Sequence, residues 1–337
     1  VNGTEHVIQL AHGGGGRLTR DLIAREIVTR FGDGPLRGLP DGATLPSPGE
    51  RLIFTTDSFV VQPLEFPGGN IGDLAVHGTV NDLSVCGGEP TWLSLALIIE
   101  EGLPLATLGR ILDSVRAAAD ACGVTVATGD TKVVARGQGD GLYVNTAGIG
   151  RALPEFSLGP DRIREGDCVL VSGPLADHGM AVLAARQNMD FVNGPRSDTA
   201  PVHRLVLAVR EMGASVRFMR DPTRGGAAAV LNEMVEGSGV GILLKERELP
   251  LSPNTRAVAE MLGIDPLHVA SEGRVILICA PEAEAGILAR WRALPEGAGA
   301  VRLGVVSRDK GRVVLETLAG GRRLVDVPRG ELLPRIC

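Results

Sequence analysis

The stretch from Ile71 to Cys86 constrains this chain more than any other. Ile71, Leu74, Gly78, Asp82 and Val85 recur at helical spacing and so share one face of a predicted helix. That face is apolar except for Asp82. A carboxylate buried in an apolar stripe is costly unless a cation, a hydrogen-bond network or a metal offsets its charge. The fold must therefore bring a partner to Asp82, and Asn81 beside it could add a polar ligand.

Two further acids are expected at strand ends. Leu52-Ile53-Phe54-Thr55-Thr56 reads as a strand reaching Asp57, which could also simply open a turn. Val124 to Thr128 reads as a strand ending at Gly129-Asp130-Thr131-Lys132, an acid with a lysine two residues on. Three acids from three separate elements suggest a Mg²⁺–phosphate site, because hard cations take oxygen ligands. Asp73 and Glu65 read more simply as solvated surface acids.

Upstream, Gly13, Gly14, Gly15 and Gly16 form a loop feeding a predicted helix over about 21–31, capped by Thr19. Such a loop can close over a phosphate or act as a plain hinge. Its spacing is neither a P-loop nor a dinucleotide-binding fingerprint. A helix over 106–122, stopped by Gly123, and a strand over 142–149 complete the first half. A polar connection over 154–166 leads to a second alternation of strands and helices. The stretch 188–200 reads as a mobile polar loop.

In this second half Asp221-Pro222-Thr223-Arg224-Gly225-Gly226 opens a predicted helix. Asp221 as N-cap with Pro222 at the first helical position is one reading. An anion site at that N-terminus, served by Arg224 and the two glycines, is the other. Glu272, in Ala270-Ser271-Glu272-Gly273-Arg274, is either a turn residue pairing with Arg274 or a general base at a strand edge. The whole reads as an α/β chain with domains at 1–155 and 156–327 and a tail at 328–337.

The tail ends Leu333-Pro334-Arg335-Ile336-Cys337. Pro328 and Pro334 keep it from being helical, and ten extended residues reach about 35 Å. Cys337 is either the last residue of a frayed end or a tethered carrier thiol. The other cysteines, Cys86, Cys122, Cys168 and Cys279, lie in apolar patterns and read as buried small hydrophobes. No C-x-x-C pair occurs, which argues against structural zinc and suits a reducing cytoplasm. The net charge of −6 argues against nucleic acid as a partner. No apolar run reaches the roughly 18 residues of a membrane span, and no signal-peptide pattern opens the chain.

In order, Gly13–Gly16, Thr55-Thr56-Asp57, Asn81-Asp82-Leu83-Ser84, Gly129-Asp130-Thr131-Lys132, Asp221 to Gly226, Ala270 to Gly273 and Pro334-Arg335-Ile336-Cys337 resemble the HypE family of hydrogenase maturation proteins. These are the carbamoyl dehydratases, within the superfamily of aminoimidazole ribonucleotide synthetase and selenophosphate synthetase. The resemblance spans the whole chain, and the cysteine-ended tail is its specific part. A selenophosphate synthetase would carry a reactive residue in the glycine loop, where residues 12–17 have none. The resemblance implies a two-domain α/β protomer whose N-terminal sheets pair in a homodimer, with ATP between the domains near the dimer interface. It implies that HypF loads a carbamoyl group onto Cys337. ATP and Mg²⁺ then drive its dehydration to a thiocyanate, and the HypC–HypD complex receives the cyanide for the iron of [NiFe] hydrogenase. On that reading Asp57, Asp82, Asp130 and Asp221 hold Mg²⁺. Gly13 to Gly16, Asn81, Thr131, Arg224, Gly225 and Gly226 bind the nucleotide. Lys132 stabilises the transferring phosphoryl group, Glu272 is the base and Cys337 carries the substrate.

Overall fold

A computed structural model describes residues 7–14, 17–32, 35, 42–189, 191 and 193–327. Helix α1 (Arg17–Leu22) runs through a π-helical stretch (Ile23–Val28) into α2 (Thr29–Phe31), so the first helix starts earlier than the Thr19 cap implied. Then come β1 (Leu52–Phe59), the small hairpin of β2 (Glu65–Phe66) and β3 (Gly69–Asn70), and α3 (Ile71–Val85). Strand β4 (Gly88–Glu100), α4 (Leu105–Cys122), β5 (Thr125–Val134) and β6 (Leu142–Ala152) complete the first half. Asn70 caps α3 by accepting from the Gly72 N–H, and Gly123 ends α4 at φ 68°, a left-handed turn suited to glycine.

The sheet order is β1-β6-β4-β5. Leu93, Leu95, Leu97 and Ile99 of β4 alternate inward and pack with Leu74, Ile111, Leu112 and Val115 of α3 and α4. Along β1, Ile53, Thr55, Asp57 and Phe59 take the helix side, and Leu52, Phe54, Thr56 and Ser58 take the other. That second face is uncovered in the single chain, with Phe54 68% exposed.

The second half begins with β7 (Cys168–Val171), α5 (Asp177–Arg186), α6 (His203–Ala208) and β8 (Val216–Arg220). It continues through α7 (Gly226–Val235), β9 (Gly241–Lys245), α8 (Pro253–Leu262), β10 (Ile276–Cys279), α9 (Glu284–Arg292), β11 (Val301–Ser307), β12 (Val313–Glu316) and β13 (Arg322–Leu324). Its sheet order is β13-β12-β9-β11-β7-β10-β8. The fully buried run of β10 sits between β7 and β8, which explains why it shows no alternation.

Three expectations are corrected here. Strands β1 and β5 run on past Asp57 and Asp130, so both acids lie within strands rather than at their ends. Asp221 does not cap a helix: it follows β8, and α7 starts only at Gly226, with Gly225 as its N-cap at φ 76°. Within the expected loop over 188–200, residues 197–200 are not free, because they are hydrogen-bonded to Pro67 and Asn81 of the first half and to His178 and Glu272 of the second.

Candidate active site

Asp82 finds its partners where α3 meets β1 and the second half. Its Oδ2 accepts a hydrogen bond from Thr55 Oγ1 at 3.0 Å. Asp57, on the same side of β1, accepts the Ser58 N–H at 2.8 Å and lies 3.6 Å from the Arg224 guanidinium. Gly78 leaves room on α3 for this approach: a Cβ there would stand 2.7 Å from the Phe59 ring. Asp221, Thr223, Arg224 and Glu272 close the same small pocket from the second half.

The pocket carries more negative charge than its surroundings balance. Asp221 is 7% exposed, and burial, with Asp82 and Asp57 nearby, pushes its pKa up to about 7. Burial also raises Asp57 and Asp82, with Asp57 adding to the shift of Asp82. Glu272 is 2% exposed and held well above the usual carboxylate range, first by burial and then by Asp221. Its Oε1 has no hydrogen-bond partner among the described residues. Arg224 is the one cation within ion-pair distance of these four acids among the described residues.

This donor set fits Mg²⁺ brought in with a triphosphate. Among the described residues no group of three or more His, Cys, Asp or Glu could hold a metal unaided. Mg²⁺ is ordinarily held by one or two carboxylates together with phosphate oxygens. The N-terminus of α7, with Gly225 and Gly226, opens beside Arg224. Gly226, at φ 63°, lies so near Leu267 and Val269 that a Cβ would stand 2.6 Å from their carbonyl oxygens.

The other expected residues lie elsewhere. Asp57 pairs across the sheet with Thr146, Thr146 with Leu95, and Leu95 with Gly129. Three strand spacings, about 14 Å, therefore separate β1 from β5. Asp130 and Lys132 pair with Ala96 and Ile98, on the uncovered face, whereas Asp57 faces α3. Lys132 Nζ lies 3.6 Å from Asp130, and both are exposed. Gly13 packs on β5, where a Cβ would stand 2.8 Å from Val133, and Gly14 follows it. Thus Gly13, Gly14, Asp130, Thr131 and Lys132 form one group, and Asp57, Asp82, Asp221, Arg224, Gly225, Gly226 and Glu272 another. Within the single chain the expected site residues therefore fall into two separate groups. Gly15, Gly16, Cys337 and the whole tail 328–337 lie outside the described residues.

Asn81, expected to bind the nucleotide, ties α3 to the second half of the chain. It is 1% exposed, and its amide donates to the carbonyls of Ala200 at 3.1 Å and Glu272 at 3.0 Å. Its Oδ1 accepts the Val202 N–H at 2.7 Å, so its polar atoms are already engaged. The sequence reading missed Asp198, whose Oδ1 accepts the Glu272 N–H at 3.1 Å. Asp198 lies in an irregular polar stretch with no periodic signal to single it out.

Comparison with known proteins identifies the family and the fold. Residues 40–152 match the family described as AIR synthase related protein, N-terminal domain, and residues 164–316 match its C-terminal domain. The carbamoyl dehydratase HypE of Rhizobium leguminosarum bv. viciae is 48% identical over 332 residues, covering 98% of this chain and 95% of that one. The carbamoyl dehydratase HypE of Escherichia coli K12 is 42% identical over 335 residues, covering 98% and 99%. A HypE crystallised with ATP superposes with a TM-score of 0.93 at 41% identity, covering 98% of this chain and 99% of that one. A HypE–HypF complex superposes at 0.80 and 39% identity, covering 93% and 100%. The two-domain α/β fold expected from the sequence is thus the fold observed, and this chain belongs to the HypE family of AIR-synthase-related proteins.

Proposed function

We propose that this chain is an ATP-dependent carbamoyl dehydratase acting on the thiol of its own Cys337. A carbamoylated cysteine, S–C(=O)–NH₂, becomes a thiocyanate, S–C≡N, while ATP becomes ADP and phosphate. The amide oxygen leaves with the phosphate, and the nitrogen gives up both protons. The observation that carries this reading is the gathering of Asp57, Asp82, Asp221 and Glu272 around Arg224.

Asp57, Asp82 and Asp221 would hold Mg²⁺, which when bound neutralises triphosphate charge and supports phosphoryl transfer to the amide oxygen. Arg224 and the N-terminus of α7 offer donors to phosphate oxygens. Glu272 takes protons from the nitrogen: its buried, unpartnered Oε1 is a strong acceptor, and its raised pKa suits a base. Burial also keeps bulk water from competing for the activated carbon.

A homodimer supplies Lys132. In this reading the uncovered faces of two four-stranded sheets close on each other, which covers Phe54, Leu52 and Ile98. Barrel-like closure also removes the free edges of β1 and β5. The β5 group of one protomer then completes the acid group of its partner. Residues 1–155 serve as the ATP-binding and dimerisation domain, 156–327 as the second domain, and 328–337 as the tail that carries Cys337. HypF is the partner that loads the carbamoyl group onto Cys337, a reading supported by the likeness to a HypE–HypF complex, and HypC–HypD receives the cyanide. The four described cysteines are free, which suits a reducing cytoplasm. No helix among the described residues is long and apolar enough to cross a membrane.

The test is single-turnover dehydration by carbamoylated protein. E272Q is expected to lower the rate by at least about 100-fold with ATP binding retained, and D82N to weaken MgATP binding. Wild-type rates in E272Q would remove Glu272 from the chemistry.

A further inference from the structure

The Glu272 carboxylate has no hydrogen bond holding Oε1 among the described residues, so its placement depends on its backbone and packing. That backbone is gripped on both sides. Asn81 donates to the Glu272 carbonyl at 3.0 Å, and Asp198 Oδ1 accepts the Glu272 N–H at 3.1 Å. We propose that Asp198 is a positioning residue for dehydration, aiming Glu272 through that N–H. The inference rests on Glu272 being the base.

Asp198 suits this task because it is itself immobilised. Its side chain is 1% exposed, and its Oδ2 lies 3.4 Å from Arg274 Nε. The same Oδ1 also accepts the His178 N–H at 3.1 Å. The guanidinium of Arg274 donates in turn to the carbonyls of Pro174 at 2.8 Å and Gly273 at 3.0 Å. The flanking residues fasten this segment, a strap over 197–202, to the first half: the Ser197 N–H donates to the Pro67 carbonyl at 2.7 Å, and Thr199 Oγ1 lies 3.1 Å from His77 Nδ1. Gly273 lets the strap come this close, since a Cβ there would overlap the Asp198 carbonyl. The strap thus fixes Glu272 relative to α3, which carries Asp82. A carboxylate serves both roles, whereas an amide would keep the acceptor but turn a donor toward Arg274.

The experiment compares D198A and D198N in full-length, carbamoylated protein with MgATP. D198A is expected to slow dehydration about 100-fold, the scale of a small misplacement of a reacting group, with ATP affinity within about twofold of wild type. D198N, which keeps the Oδ1 acceptor, is expected to recover most of the rate. Amide exchange in a peptide spanning 271–273 should quicken in D198A and stay unchanged in a peptide from β4. Should D198A fail to fold, D198S carries the same expectation. A wild-type rate in D198A, an equal loss of rate and ATP affinity, or a D198N as slow as D198A would overturn the proposal. The underlying reading fails separately: if Glu272 is not the base, E272Q keeps the wild-type rate, whereas if only the positioning is wrong, E272Q loses it and D198A does not.

Discussion

Asp221 shows at the scale of one residue how function weighs against stability. Its pKa of about 7 in the fold stands above the ordinary value of 3.8, so the folded state binds its proton more tightly than the unfolded chain. Its contribution to stability is present below about pH 4 and lost as pH rises through about 7. D221N removes that penalty and is expected to stabilise the Mg²⁺-free protein at pH 8 by on the order of 2–4 kcal/mol while lowering MgATP binding. Urea unfolding at pH 8 and pH 5 checks this, because the gain should shrink at the lower pH. His77 has the opposite sign. Burial lowers its pKa from 6.5 to about 4, so its stabilisation is complete above pH 6.5 and is lost as pH falls toward 4. H77N should flatten that limb by about 2 kcal/mol, read from unfolding midpoints between pH 7 and 4.5. Asp82 was legible at this scale because an acid breaks an apolar stripe. Asp198 was not, since its partners are backbone N–H groups distant in sequence.

At the scale of elements, most helices and most strands were legible from periodicity, whereas α9 was not read. Strand β4 was not among the strands expected, although Leu93, Leu95, Leu97 and Ile99 alternate along it. Strand β8 is short, and burial along Val216–Arg220 does not alternate cleanly. The β5 segment hides its length because Gly129-Asp130-Thr131-Lys132 looks like a turn, although pairing with β4 carries it on. Local composition therefore placed Asp57 and Asp130 at strand ends, and only the sheet register shows that they lie three strands apart. Helix α3 is tied to the second half through Asn81. N81A leaves the Val202 N–H and the Glu272 and Ala200 carbonyls without this partner, and is expected to cost about 2–3 kcal/mol. Chemical denaturation reads the loss, and N81D should not restore it, because a carboxylate cannot donate to those carbonyls.

At the scale of the whole molecule, the proposed homodimer would bring the two groups of site residues together. A D57N chain and a K132A chain should each be inactive as homodimers. Mixing them should recover roughly a quarter of wild-type activity, because half of the dimers are mixed and each mixed dimer has one intact site. No recovery would place Lys132 outside the shared site. The two-domain fold was legible from the alternation of strands and helices, whereas the separation of the expected site residues into two groups was not, because it depends on sheet register. The most direct test of the account is the mass of the C-terminal peptide after HypF-dependent carbamoylation and addition of MgATP. Cys337 should gain a carbamoyl group and then lose one water only when ATP is present. A Cys337 that stays unmodified while ATP is consumed would contradict it.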